Sequence, residues 1–240
     1  MKEVLVPLAT FKNTKEKYAP FHFARETYIK KLVQYHLLPY FVSHVMTIQM
    51  IDELYDQSQG VLLMGGADWN PSLYGETKGG KTQEPERGRD MMEQYILKKV
   101  LADKKPFLGI CRGHQGLAIA SGGKLIQHVA DEFPSEKHDV ENYDGLFSGQ
   151  KHEVVLDPSS RIAQLLGKEK INVNSGHHQA VREAGHNMKI VGESPAGVAE
   201  IIEHTDSSFF CYGVQCHPEA DTNGDLERLF AAFAKAVVSS

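Results

Sequence analysis

Short apolar runs separated by helix-period segments fill the first half of this chain, and that alternation restricts its fold more than any other feature. Val4–Ala9, Leu38–Val45, Gly60–Met64 and Pro106–Ile110 are too short for buried helices and read as strands. Between the first two, Ala24, Tyr28 and Leu32, with Ile29, Val33 and His36, recur at intervals of three and four, the spacing of an amphipathic helix. Ile48–Tyr55 and Met91–Leu101 are helical in pattern, and His114–Ser121 is a helix stopped by Gly122-Gly123. Parallel strands need crossover connections, usually helices, so β-α-β-α-β-α-β-α predicts an α/β fold: a mostly parallel sheet with helices on both faces.

The second half changes character. Strand-like runs at Lys124–Val129, His152–Leu156, Ile171–Asn174, Met188–Val191, Val198–Glu203 and Phe209–Gln215 follow one another with few helices between. They predict additional antiparallel strands. Leu226, Leu229, Phe230, Phe233 and Val237 mark a closing amphipathic helix. No linker, repeat or low-complexity tract interrupts residues 1–240, which are expected to form a single domain. Residues 67–90 form a polar stretch rich in Gly and Pro, and a loop of that length within a domain is more often functional than not.

Thirty-one acidic against 26 basic residues, with no basic stripe, argue against a nucleic-acid surface and offer little to an anionic membrane. No segment reaches the roughly 20 apolar residues that span a bilayer. The apolar stretch near the N-terminus is too short for a signal-peptide core. Three cysteines do not make a disulfide framework, so a reduced, cytoplasmic setting is expected.

One of those cysteines sits where chemistry is expected. Gly109-Ile110-Cys111-Arg112-Gly113 follows an apolar strand and precedes a helix, the cysteine form of the G-x-S-x-G nucleophile elbow. Glycines two before and two after Cys111 permit a sharp turn that lifts the side chain above the carboxyl edge of the sheet, where ligands bind in open α/β folds. The helix N-terminus behind it favours a thiolate. Gly213-Val214-Gln215-Cys216-His217-Pro218-Glu219 ends another strand. Pro218 biases His217 toward extended backbone, and in extended chain residues i and i+2 point the same way, so His217 and Glu219 are expected to project together as base and orienting carboxylate. Cys211 and Cys216, an odd number apart in a strand, face opposite ways and read as packing residues.

GICRGHQ and GVQCHPE together resemble the class I glutamine amidotransferases, which carry a Cys-His-Glu triad on a flavodoxin-like sheet. GGADWNPSLYGE, RGRDMMEQ and VNSGHHQAV narrow the resemblance to the peptidase C26 branch, in particular the γ-glutamyl-γ-aminobutyrate hydrolases, and these motifs run in the expected order over nearly the whole chain. The resemblance implies that Cys111 attacks the δ-carbonyl of a γ-glutamyl group, His217 protonates the leaving amine and Glu219 orients His217. It implies an oxyanion hole from the backbone N–H groups of Gly66 and Arg112, and glutamyl contacts from Gln115, Ser175 and His177. Trp69 and Tyr74 read as loop packing or substrate contacts. The pair His177-His178 would suit a metal, but no carboxylate or third ligand is spaced nearby, so neither metal nor organic cofactor is expected. A small γ-glutamyl compound is the expected partner, with a homodimer left open and a glutaminase subunit feeding ammonia to a synthase as the alternative function. The sequence departs from the branch at Cys216, where a Trp is usual, and at Pro195-Ala196-Gly197, where Asp-Gly precedes the strand carrying Glu200; both are expected to alter the pocket wall.

Overall fold

The computed structural model describes residues 1–11, 20–136, 138, 151–221 and 223–240. Its first half runs β1 (Lys2–Pro7), the antiparallel pair β2 (Ala9–Phe11) and β3 (Phe21–Phe23), α1 (Glu26–Gln34), β4 (Leu37–Val42), α2 (Ile48–Gln57), β5 (Gly60–Leu63), α3 (Arg87–Asp103), β6 (Phe107–Ile110) and α4 (Arg112–Ala120). The second half runs β7 (Lys124–Ile126), α5 (Val129–Glu132), β8 (Lys151–Leu156), α6 (Arg161–Leu166), β9 (Lys170–Asn174), β10 (Ala180–Glu183), β11 (Met188–Glu193), β12 (Ala199–His204), β13 (Cys211–Val214) and α7 (Glu227–Ser239).

The main sheet has the order β4-β1-β5-β6-β13-β12-β11-β8-β9. Its first five strands are parallel and, counted in chain order, lie 2-1-3-4-5, the doubly wound flavodoxin arrangement. From β12 outward the pairings are antiparallel, as the second half predicts. Side chains alternate across β1: Val4 and Val6 pack with Phe230, Phe233 and Val237 of α7 on one face, while Leu5 packs with Ile51 of α2 and Ile96 of α3 on the other. Burial on both faces is why the parallel strands read as unbroken apolar runs.

Three features depart from expectation. α3 begins at Arg87 rather than Met91, because its first turn buries Arg89 and Asp90, polar residues that an apolar periodicity cannot reveal. α6 is under two turns long, too brief for a period, and is defined by its ends: the Ser160 side chain accepts the Ala163 N–H, and Gly167 takes the left-handed conformation. The β2–β3 pair and β10 are three and four residues long and carry no clear alternation. Within residues 67–90, Pro71–Tyr74 form a 3-10 turn, and Trp69 and Tyr74 are buried. Among the described residues no helix is long and apolar enough to cross a membrane.

Register places the site. β13 pairs β6 in parallel with Val214 opposite Ile110, so the residues following both strands emerge side by side at the carboxyl edge. The Cys111 N–H donates to Val214 O at 2.8 Å and locks that alignment.

Candidate active site

Cys111 adopts φ 52°, ψ −104°, a positive-φ conformation that is rare and strained for a residue with a side chain. The flanking glycines make the turn possible: a Cβ on Gly109 would lie 2.6 Å from the Gly113 carbonyl, and one on Gly113 would lie 2.5 Å from Leu63 O. Behind the turn α4 begins at Arg112, whose N–H, first in its helix, has no intrahelical acceptor.

His217 and Glu219 meet, by a different backbone from the one expected. His217 has φ −113° and ψ 76°, and Pro218–Ala220 form a 3-10 turn rather than extended chain. The turn brings Glu219 Oε1 to 2.8 Å from His217 Nδ1. Asn174, at the end of β9, clamps the His217 backbone with both ends of its amide, accepting from the N–H at 2.7 Å and donating to the carbonyl at 2.8 Å. Burial, the largest influence on His217, works against its charge, but Glu219 and Cys111 outweigh it and raise the imidazole to about 10. Gln215 Nε2 lies 3.6 Å from Cys111 Sγ. Such a group can hold a thiolate beside an imidazolium, the pairing that nucleophilic acyl transfer requires.

Sequence reasoning missed two groups that shape this site. Tyr28 of α1 accepts the Gly65 N–H at 3.0 Å, and its hydroxyl stands 3.5 Å from His217 Nδ1. Burial, then Glu219, pushes the Tyr28 hydroxyl far above its usual range, so it stays protonated. Below the glycines at the end of β5 lies a buried ionic network. Arg112 pairs with Glu93 and with Asp90 (2.5 Å), and Arg89 pairs with Glu93 at 2.6 Å. The Arg112 guanidinium stacks 3.6 Å over the Trp69 ring, whose Nε1 donates to Arg112 O at 2.8 Å, which makes Trp69 a packing residue. A Cβ on Gly66 would sit 2.1 Å from Arg89 Nη1. Each ionic side chain is too far from the others in sequence, or too hidden in a helical face, for spacing to connect them.

These residues border a cavity of about 420 Å3 lined by Cys111, His217, Gly65, Gly66, Tyr28 and Arg89, and further out by Arg25, Thr10, Gln83 and Glu86. Of the expected glutamyl contacts, none has its side chain there. Gln115 donates to Gln179 O at 3.2 Å and to Gln215 Oε1 at 3.1 Å; Ser175 Oγ donates to His138 O at 2.9 Å. Gly176, between Ser175 and His177, is the part of that segment that reaches the cavity. His177 turns away from it toward Glu200, 3.3 Å from its Nε2. That corrects the premise that no carboxylate or third ligand stands near His177: β12 supplies Glu200, and His138 and His152 approach the same oxygen. Neither departure from the branch pattern lines the cavity. Cys216 is buried in the core on one face of the sheet and Cys211 in the core on the other, and Pro195–Gly197 form a surface turn between β11 and β12. Burial pushes both thiols up, as suits packing residues.

Sheet order, elbow and carboxyl-edge site together define an α/β protein with the class I glutamine amidotransferase fold. A glutamine amidotransferase from Thermotoga maritima shares that fold, with a TM-score of 0.58 at 14% identity over 99% of this chain and 84% of that chain. The chain belongs to the peptidase C26 family, a hydrolase family whose profile matches residues 4–219. It is 35% identical over 184 residues to protein NtpR of Enterococcus hirae, covering 75% of each chain. It is 28% identical over 200 residues to the γ-glutamyl-γ-aminobutyrate hydrolase PuuD of Escherichia coli, covering 81% of this chain and 78% of that one.

Proposed function

We propose that this chain hydrolyses the γ-glutamyl amide bond of small γ-glutamyl compounds, of the γ-glutamyl-γ-aminobutyrate type, through a thioester on Cys111. The observation that carries the reading is Cys111 on its strained elbow, beside the His217–Glu219 pair and open to a cavity. The Cys111 thiolate adds to the δ-carbonyl carbon, and the oxygen gains a negative charge facing the N–H groups of Gly66 and Arg112. Gly65 cannot serve in that role, since its N–H is held by Tyr28. As the C–N bond breaks, His217 gives its proton to the departing nitrogen, leaving a γ-glutamyl thioester and a free amine. Water then adds to the thioester while His217 takes its proton, and glutamate leaves as the thiolate returns. Glu219 holds the imidazole in orientation throughout.

The cavity continues past the nucleophile to Arg25 and Glu86, space that a glutamine carboxamide would leave empty. Contacts to an extended leaving group supply binding energy that can be used in the transition state. In the purified chain alone, kcat/KM for γ-glutamyl-γ-aminobutyrate is expected to exceed that for glutamine at least tenfold, the equivalent of ~1.4 kcal/mol. Equal or greater efficiency on glutamine, or activity that appears only with an added synthase, would replace this reading with an ammonia-delivering glutaminase.

A further inference from the structure

Behind the Ser175–His177 segment, away from the cavity, three imidazoles converge on one buried carboxylate. Glu200 Oε1 lies 3.4 Å from His138 Nδ1, 3.4 Å from His152 Nε2 and 3.3 Å from His177 Nε2. The outer nitrogen of one of these rings is already committed. His177 Nδ1 stands 2.9 Å from the Gln179 carbonyl and so carries the proton, which leaves a lone pair on Nε2 facing Glu200. His138 Nε2 lies 2.9 Å from Glu136 Oε2 without hydrogen-bond alignment, and its Nδ1 faces Glu200 with the Ser175 hydroxyl 3.5 Å away. Both oxygens of Glu200 and both nitrogens of His152 lack a hydrogen-bond partner. Three ring nitrogens and a carboxylate oxygen thus converge inside the protein, an arrangement that calls for a cation among them, shared protons or a metal ion.

We propose that His138, His152, His177 and Glu200 bind a first-row divalent transition-metal ion of the zinc class. The separations favour a metal over shared protons: charge-assisted hydrogen bonds run at about 2.7–2.9 Å. In a tetrahedral site with bonds of about 2.0–2.1 Å, ligand atoms stand about 3.3–3.4 Å apart. The ligand atoms of His138, His152 and Glu200 lie within 4.8 Å of one another, a spread that small rotations of the rings would close onto an ion. Imidazole with a carboxylate suits Zn2+ and its neighbours rather than Mg2+ or Ca2+. Glu136 behind His138 and the Gln179 carbonyl behind His177 are the outer partners that orient metal-bound histidines. Four protein ligands in a nearly closed space make the site structural, a clip joining β8, β12 and the segment that backs the cavity.

The test is made on the full-length chain carrying Cys111→Ala, so that the nucleophile cannot be the ligand. Chelator-stripped protein is titrated with Zn2+ by calorimetry and with Co2+ by visible absorption, and thermal unfolding is followed with and without metal. The expected result is one tight equivalent, the intense visible bands of tetrahedral Co2+, and a raised unfolding temperature. Glu200→Gln and His152→Gln should abolish uptake while far-ultraviolet circular dichroism stays unchanged. Glu136→Gln, which touches no metal and removes no ligand, should weaken binding about 10–100-fold. A folded parent that takes up neither ion, or uptake that survives both Glu200→Gln and His152→Gln, would overturn the proposal and leave a proton-held cluster.

Discussion

Nδ1 of His217 lies 2.8 Å from Oε1 of Glu219, two residues on, because a 3-10 turn begun by Pro218 folds the carboxylate back against the ring. That contact makes one coupled unit of an imidazole and a carboxylate beside Cys111.

The unit has a pH signature. His217 is raised from the ordinary imidazole value to about 10, so it is charged throughout the neutral range and loses that charge as pH rises through about 10. With a γ-glutamyl amide substrate, kcat/KM should fall on an alkaline limb near pH 10. Glu219→Gln removes one of the charges that raise it and should move that limb to lower pH. An alkaline limb unchanged in Glu219→Gln would mean that the carboxylate does not support the imidazolium.

Cys111→Ala should lose all turnover while keeping the fold, since the elbow is shaped by Gly109 and Gly113 and alanine is no bulkier than cysteine. A glutamine-like diazo-ketone should label the unaltered chain at Cys111 alone, because Cys211 and Cys216 are buried and their thiols pushed up. Peptide mapping that finds the label on either of those two residues contradicts the assignment.

Gly66→Ala drives a methyl to within 2.1 Å of Arg89 Nη1, and the guanidinium cannot yield freely while Glu93 holds its Nε. The loop must shift instead, taking the Gly66 N–H out of line. Stability should fall by about 1–3 kcal/mol from overpacking, and kcat by about 10²–10³-fold from loss of one oxyanion donor. Denaturant melts and steady-state rates read the two effects separately; a variant with unaltered kcat would exclude Gly66 as a donor.

Glu93→Gln strips the shared carboxylate from two buried guanidiniums, those of Arg89 and Arg112. Breaking a buried pair by removing one partner costs about 3–5 kcal/mol, since charge is left uncompensated. A Glu93→Gln chain whose urea midpoint matches the parent would show that the network contributes little to the fold.

The residues that could be found in the sequence were those whose role depends on near neighbours. Gly109, Cys111 and Gly113 form one turn between one strand and one helix, so five consecutive residues hold the whole elbow. His217 and Glu219 stand two apart, and strand-helix alternation reveals a parallel sheet because both periods are local. Even there the backbone that joins His217 to Glu219 is a turn, not the extended chain their spacing suggests. What tertiary structure alone decided depends on contacts across the sheet. β12 carries Glu200 to His138, His152 and His177, which are distant in sequence, and no spacing rule links them. α3 buries Arg89, Asp90 and Glu93 on the face that touches Arg112, and hydrophobic periodicity cannot show a face held by charge pairs. Local pattern reports what each segment buries from water, and only the packed fold reports which buried charges meet.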